Sequence, residues 1–273
     1  MTSNCNKLKF YKYHGTGNDF IMLNFTEKAV CLNSKTIRLL CDRHFGIGAD
    51  GLIILTASEQ VAFAMQYFNS DGNEGSMCGN GGRAAAAFAY QMEIVKTADF
   101  LFDAYDGLHH ARVTRHSEKL FDVALGMKDV DGYVLTENSL LIDTGSPHYV
   151  VRNIIKDKNE FDAFDVKTKG AALRNDKTIS ENGVNVNFVY CDGDVTFVRT
   201  YERGVEDETL SCGTGATATA IAMALWHGKN KVELHTKGGV LQLCFERKND
   251  SFRNIVLQGI VEEIFEGSVV IEN

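Results

Sequence analysis

The sequence lacks the features that mark several common classes of protein. Its 28 Lys and Arg against 36 Asp and Glu give a net charge of −8 without a basic run, which argues against nucleic acid or an anionic membrane surface as a partner. Its seven cysteines are an odd number without C-x-x-C spacing, so neither a disulfide scaffold nor a zinc knuckle is indicated. No apolar run approaches membrane-spanning length, and the first residues contain no apolar signal region. We therefore expect a cytoplasmic protein with reduced thiols.

Signatures of metal and cofactor sites are also missing. There is no P-loop, and no lysine lies in a motif that would identify a pyridoxal phosphate anchor. Gly46–Gly51 matches G-x-G-x-x-G, but a predicted helix precedes it and a predicted strand follows it, the reverse of the order in dinucleotide-binding folds. His109, His110 and His116 lack an accompanying arrangement of Cys, Asp or Glu, so we interpret them as exposed strand histidines. The sequence thus indicates no metal and no cofactor.

What the chain does contain is one motif that occurs twice. Met77–Phe88 and Ser211–Ala220 each hold a cysteine, then Gly-x-Gly, then a run of small residues with good helix propensity. Cys78 and Cys212 are 212 − 78 = 134 positions apart, almost half of the chain and too far for a solenoid repeat. The sequence therefore predicts a duplicated domain, with equivalent cysteines related by an approximate two-fold axis.

The repeated motif has a chemical meaning. Gly-x-Gly lets the backbone approach a ligand closely, and the small-residue runs are expected to start helices at about Arg83 and Ala216. Each thiol would then lie at a helix N-terminus, where unpaired N–H groups and the helix dipole lower a cysteine pKa from about 8.5 towards neutrality. If both helix ends held one carboxylate, one thiolate could remove the α-proton while the other thiol protonated the opposite face. The pattern is typical of racemisation or epimerisation.

These motifs, together with others along the chain, resemble diaminopimelate epimerase. The similarity runs from about residue 10 to the C-terminus, and it is carried by Gly15–Phe20, Arg43–Gly51, Phe68–Gly72, Cys78–Gly81, Tyr201–Gly204 and Ser211–Gly215. It implies an α/β (α+β) fold of two pseudo-symmetric domains, each a mostly antiparallel sheet wrapped around a central helix. We predict an N-terminal half at 1–130, completed by a strand at 261–273, and a C-terminal half at 131–260. The resemblance also implies a cofactor-independent isomerase of lysine and peptidoglycan precursor biosynthesis that forms a homodimer.

The resemblance assigns roles to particular residues. Cys78 and Cys212 would be the catalytic thiols, and His148 and Glu202 would adjust their pKa values. Arg203 would bind a substrate carboxylate bidentately, and Glu202 would also contact the substrate amino group. The remaining substrate-binding positions are the backbone amides of Gly79, Asn80, Gly213 and Thr214 for the reacting carboxylate, Asn69 and Asn185 for the distal amino-acid end, and Asn18, Gly51 and Ser146.

Two of these positions depart from the family pattern. Ser146 stands where the family usually has Asn, and Gly51 stands where many members have Gln. The shorter Ser146 loses an amide donor towards the distal end of the substrate, which a water could replace. These departures bear on substrate identity more than on reaction type.

Other functions remain open at this point. A racemase of another amino acid, of the proline, hydroxyproline or histidine type, would share the fold and both thiols. Tyr201–Arg203 and Asn18 favour diaminopimelate over those substrates. A thiol redox protein would use Cys78 and Cys212 as a disulfide that cycles readily, and a binding module would have lost catalysis.

Hydrophobic periodicity outlines the elements around these residues. Leu8–Phe25 is predicted to form two strands that break at Gly15–Asp19, and a helix is predicted over residues 33–44. Residues 157–180 are predicted to be a solvated helix and loop, and Pro147, the only proline, is expected to hold a loop. The tail is predicted to contain strands at 232–234, 240–245, 255–257, 260–265 and 269–271.

Overall fold

The computed structural model describes residues 6–27 and 31–271, and the packing of the chain divides it into two compact units. One unit comprises Met1–Leu125 with Ile260–Asn273, and the other comprises Gly126–Gly259. Each unit wraps a sheet, antiparallel at most of its pairings, around one buried helix. The predicted α+β fold class is confirmed.

The first unit contains one long buried helix and one short helix against its sheet. The helices are α1 (Ser34–Cys41) and α2 (Gly79–Gln91). The strands are β1 (Asn6–Gly15), β2 (Asn18–Phe25), β3 (Gly51–Thr56), β4 (Ala64–Asn69), β5 (Asp99–Ala104), β6 (Gly107–Arg115) and β7 (Leu120–Gly126). Residues 260–271 of the last strand pair with both β1 and β7, so the strand pairings of this unit close into a ring.

The second unit repeats this architecture. Its helices are α3 (Lys158–Ala163), α4 (Val166–Arg174) and α5 (Gly213–His227). Its strands are β8 (Val130–Asp131), β9 (Val134–Leu135), β10 (Ser139–Asp143), β11 (Pro147–Val151), β12 (Asn185–Asp192), β13 (Val195–Glu202), β14 (Asp207–Thr209), β15 (Lys231–Thr236), β16 (Gly239–Lys248) and the first part of β17 (Ser251–Ile271). Residues 251–259 of β17 belong to this unit, and the remainder belongs to the first.

The order of strand pairings is the same in the two units. From β1 to β7, successive pairs are antiparallel, parallel, antiparallel, parallel, antiparallel and antiparallel. The same succession links β10, β11, β12, β13, β15, β16 and β17. A repeated topology together with a repeated cysteine motif is what a duplicated domain produces.

The central helices α2 and α5 are buried over most of their length. Residues 79–89 of α2 are all buried, as are most residues of α5 up to Ala224. Small side chains let the sheet close tightly around a helix without leaving voids. Both helices begin earlier than predicted, at Gly79 and Gly213, because each cysteine is itself the N-cap and the glycines form the first turn. Because glycine has a low helix propensity, the sequence-based prediction placed the start of each helix too late.

Several shorter elements follow their predictions. The turn between β1 and β2 consists of Thr16 and Gly17, both with positive φ (49° and 83°), as a tight hairpin loop requires. Helix α1 starts after Asn33, whose side chain accepts a hydrogen bond from the Thr36 N–H at 2.9 Å. It ends at Cys41, three residues earlier than the predicted bound of 44.

Other expectations need correction. The segment 157–180 forms two short helices rather than one solvated helix, and Phe161 and Val166 are buried in a cluster with the sheet. The last three predicted strands are one continuous strand, β17. Pro147 is the first residue of β11, where a missing N–H is tolerated.

His109 is also not the exposed strand histidine that the sequence suggested. Its ring is buried, stacks on Phe102 with centroids 5.7 Å apart, and lies 2.8 Å from Asp106. Its neighbours His110 and His116 are exposed, as expected. Within the described ranges, no helix is long and apolar enough to cross a membrane.

Candidate active site

Cys78 is the N-cap of the buried helix in the first unit. Its carbonyl accepts a hydrogen bond from the Gly82 N–H at 2.7 Å, and its sulfur lies 3.4 Å from the Gly81 nitrogen. The sulfur is therefore held at the positive end of the helix dipole by the first turn of α2. The residue is partly exposed, so a ligand can reach the thiol.

Asn18 contacts the Cys78 thiol in a defined orientation. Its amide nitrogen donates to Asp50 at 2.8 Å, and because an ionised carboxylate only accepts, the amide oxygen must face the other way. That oxygen lies 3.7 Å from the Cys78 sulfur and 3.5 Å from the Asn80 amide nitrogen. Asn18, Cys78 and Asn80 thus form one polar cluster at the start of α2.

Gly51 and Asn69 lie opposite each other at the ends of β3 and β4. A methyl group on Gly51 would lie 2.6 Å from the Tyr67 ring and 2.7 Å from the Phe68 carbonyl, so any larger residue there would clash. Asn69 is exposed, and its backbone closes the following turn through bonds with Asn73 and Gly72. Its side chain borders the same surface as Gly51.

Cys212 is the N-cap of the buried helix in the second unit. Its carbonyl accepts from the Ala216 N–H at 2.8 Å, and its sulfur lies 3.3 Å from the Thr214 hydroxyl. That hydroxyl is in turn 2.9 Å from Nε2 of His148. Thr214 therefore connects the thiol to the histidine, although the sequence suggested only a role for its backbone amide.

His148 is fully buried and linked on both ring nitrogens. Nδ1 lies 3.0 Å from the amide nitrogen of Asn187, whose oxygen accepts from the Thr200 hydroxyl at 2.9 Å. Burial, assisted by the positive charge of Arg203, lowers the pKa of His148 to about 3. The imidazole is therefore neutral at physiological pH, with one nitrogen donating and the other accepting.

Asn185 contacts two other predicted site residues, Ser146 and Arg203. Its amide nitrogen donates to the Ser146 hydroxyl at 2.8 Å and to the Pro147 carbonyl at 3.0 Å. Its oxygen accepts from the Arg203 backbone N–H at 2.8 Å. The Arg203 side chain is anchored more loosely, 3.4 Å from the Gly183 carbonyl. Glu202 precedes it at the end of β13 and is partly exposed.

Known proteins resemble this chain along nearly its whole length. A family model described as diaminopimelate epimerase matches residues 10–130 and 140–262. A diaminopimelate epimerase of Flavobacterium psychrophilum is 46% identical over 96% of this chain and 100% of its own length. One of Chlorobaculum tepidum is 37% identical over 94% of this chain and 99% of its own. The chain belongs to the diaminopimelate epimerase family. It is therefore an isomerase of the racemase and epimerase class.

Solved structures of other proteins share the diaminopimelate epimerase fold at low sequence identity. A phenazine biosynthesis protein of the PhzF family from Bacillus anthracis covers 97% of this chain and 100% of its own, with a TM-score of 0.73 and 12% identity. A hydroxyproline epimerase from Agrobacterium vitis covers 98% of this chain and 93% of its own, with a TM-score of 0.67 and 13% identity. At such identities the likeness shows the fold alone.

The family motif Arg43–Gly51 owes its position to an ion-pair network that sequence reasoning did not find. The buried Lys12 lies 2.7 Å from Asp19, and Arg43 contacts Asp19 and Asp50 at 2.8 Å each. Burial opposes ionisation of Asp19, but hydrogen bonds from Arg43 and Lys12 outweigh it and lower its pKa. The network fixes Asp50, which orients Asn18. Lys7, Lys9 and Lys12 all lie on this strand, and nothing in the sequence distinguishes the buried one.

Arg83 is the second functional-site residue that the sequence did not single out. Its guanidinium is fully buried and donates to Asn80 at 2.7 Å and to the Thr16 hydroxyl at 3.0 Å. Burial lowers its pKa to about 10, so it remains a cation at neutral pH. Arg83 thus joins the turn after β1 to the first turn of α2. Within residues 6–27 and 31–271, no group of three or more His, Cys, Asp or Glu side chains could hold a metal ion.

Proposed function

We propose that this chain interconverts LL- and meso-diaminopimelate without a cofactor, using Cys78 and Cys212 as its two acid–base groups. Its place would be in the biosynthesis of lysine and peptidoglycan precursors. The observation that carries the proposal is the same in both units: a partly exposed cysteine N-caps a buried helix whose first turn is Gly-x-Gly. The names of the relatives at 46% and 37% identity supply the substrate.

The proton transfer balances within the two thiols. One sulfur, as a thiolate, takes the α-proton and becomes a thiol, while the other thiol gives its proton to the opposite face of the same carbon. The charge that develops on the substrate carboxylate would be stabilised by backbone N–H groups of the two helix starts. These are the N–H groups of Gly79, Asn80, Gly213 and Thr214.

We further propose that His148 acts on Cys212 through the Thr214 hydroxyl. The chain of contacts runs from the sulfur to Oγ1 at 3.3 Å and on to Nε2 at 2.9 Å. A hydroxyl is both donor and acceptor, so this chain suits either protonation state of the sulfur. Glu202 would act on the thiols or the substrate amino group.

The remaining side chains would bind the rest of the substrate. Arg203 would pair with a carboxylate, and the exposed Asn69 would bind the distal amino-acid end together with Asn18. Because the amide of Asn185 already holds Ser146, Pro147 and Arg203, we propose that Asn185 contributes by orienting Ser146 and Arg203. Gly51 would leave room for the Tyr67 ring beside the substrate. By resemblance alone we also propose that the protein is a cytoplasmic homodimer. Within each chain, the two copies of the duplicated motif would belong to an N-terminal half at 1–130, completed by the strand at 261–273, and a C-terminal half at 131–260.

Proton exchange followed by NMR tests the proposal directly. Reduced protein is incubated with LL-diaminopimelate in deuterated water, beside Cys78→Ala, Cys212→Ala and the matched control Cys244→Ala, which changes an exposed cysteine outside the site. We expect deuterium at the α-carbon and formation of the meso isomer with wild type and the control. Neither should occur at a comparable rate with the two site variants.

The other outcomes separate the alternatives. Exchange with a different α-amino acid, but not with diaminopimelate, would keep the two-thiol chemistry and reject the substrate. No exchange with any α-amino acid, together with a disulfide between Cys78 and Cys212 that cycles readily, would favour a redox protein.

A further inference from the structure

Tyr67 lies beside the predicted substrate-binding residues, although neither the repeated motif nor the resemblance marks it. It is on β4, two residues before Asn69, so both side chains leave the same face of the strand. Met65 lies on that face as well. A Cβ atom on Gly81, in the first turn of α2, would lie 3.4 Å from the methyl group of Met65 and 3.4 Å from Cβ of Cys78. The face of β4 that carries Tyr67 is therefore the face directed at the start of α2.

Two glycines fix the position of the Tyr67 ring. A methyl group on Gly75 would lie 2.6 Å from Cδ1 and Cε1 of the ring, and one on Gly51 would lie 2.6 Å from Cε2. The ring therefore occupies the space that side chains at positions 51 and 75 would take. Phe20 contacts it edge to face, with centroids 6.1 Å apart. Gly51, Gly75 and Phe20 together hold the ring in this orientation.

This orientation carries the hydroxyl to Gly51. A methyl group on Gly51 would lie 3.2 Å from the hydroxyl oxygen of Tyr67. The hydroxyl is therefore close to the space that the outer atoms of a longer side chain at position 51 would fill. The amide nitrogen of Asn69 lies 3.2 Å from the position that a methyl group on Gly75 would take. The hydroxyl and the Asn69 amide thus border one surface, and Tyr67 remains partly exposed there.

We propose that the Tyr67 hydroxyl binds the distal amino-acid end of the substrate, in the place that a polar side chain at position 51 would otherwise occupy. The assignment rests on the proposed function. The distal end of diaminopimelate carries an ammonium and a carboxylate. A phenolic hydroxyl can accept from the first and donate to the second. The hydroxyl therefore supplies a further polar contact on the surface that the Asn69 amide borders.

The proposal makes Tyr67 a specificity-determining residue with no part in proton transfer. Tyr67→Phe keeps the ring between its two glycines and removes only the oxygen. We expect the KM for diaminopimelate to rise about tenfold, as for loss of one hydrogen bond to a charged group, while kcat stays within about twofold. The matched control is Tyr90→Phe, which removes a hydroxyl near the far end of α2, about 18 Å along the helix from Cys78. It should leave both constants unchanged.

Three results would overturn the assignment. They are an unchanged KM in Tyr67→Phe, a fall in kcat at constant KM, and an equal change in Tyr90→Phe. If wild type incorporates deuterium and Tyr67→Phe behaves like wild type, only this assignment fails. If wild type does not act on diaminopimelate at all, the proposed function fails and the assignment fails with it.

Discussion

Thr214 offers the sharpest test of how the second unit controls its thiol. Thr214→Val keeps the shape of the side chain but replaces a hydroxyl that lies 3.3 Å from the Cys212 sulfur and 2.9 Å from Nε2 of His148. Two separate effects follow, because the hydroxyl serves the thiol on one side and a fully buried imidazole on the other.

The effect on the fold follows from His148. Its Nε2 would lose its partner in a site without solvent, which costs about 1–3 kcal/mol of the free energy of unfolding. The effect on chemistry follows from the sulfur. Loss of one hydrogen bond to a thiolate is worth about 1.4 kcal/mol, so at neutral pH the fraction of reactive Cys212 should fall about tenfold.

The assay is the pH profile of kcat/KM for proton exchange, with alkylation of Cys212 by iodoacetamide as an independent readout. Both profiles should move to higher pH by about one unit in Thr214→Val, and Thr214→Ser should restore them. The matched control is Thr219→Val, which removes a buried hydroxyl of the same helix that donates to the Gly215 carbonyl at 2.8 Å. If Thr214→Val and Thr219→Val give the same profiles, the hydroxyl does not connect His148 to the thiol.

Further predictions concern stability. Because the pKa of His148 falls from 6.5 to about 3 on folding, the unfolded chain binds the extra proton between those values. The neutral, buried His148 therefore makes its full contribution to the free energy of unfolding above about pH 6.5. As the pH falls below that value, the free energy of unfolding decreases by about 1.4 kcal/mol per pH unit. Urea unfolding of His148→Gln should show a shallower acid slope than wild type, whereas the exposed His116→Gln should not. Arg83→Met should lower the free energy of unfolding by about 3 kcal/mol, since it removes charged hydrogen bonds to Asn80 and Thr16; a loss under about 1 kcal/mol would contradict this. Gly51→Ala should cost about 1–3 kcal/mol in the same assay and displace the adjoining ring, and unchanged stability would show that the strand yields there.

Much of the fold could be predicted from local patterns. The duplicated motif predicted two similar units, and the apolar pattern predicted the first two strands and a tail made of strands. The start of α1 and the turn at Thr16–Gly17 were readable because helix starts and tight turns depend on a few adjacent residues. Predictions erred where burial overrides propensity, as at the glycines that begin α2 and α5.

The sequence by itself determined where the two equivalent thiols stand, each followed by a glycine-rich helix start. Only the tertiary structure decided how they are surrounded. Arg83 and Asn187 are unremarkable in the sequence, yet they hold Thr16 and His148 through contacts that span 67 and 39 positions. The orientation of Tyr67 likewise depends on the register that places Gly51 beside it. Such contacts depend on strand pairing and packing between distant segments, which no local pattern encodes.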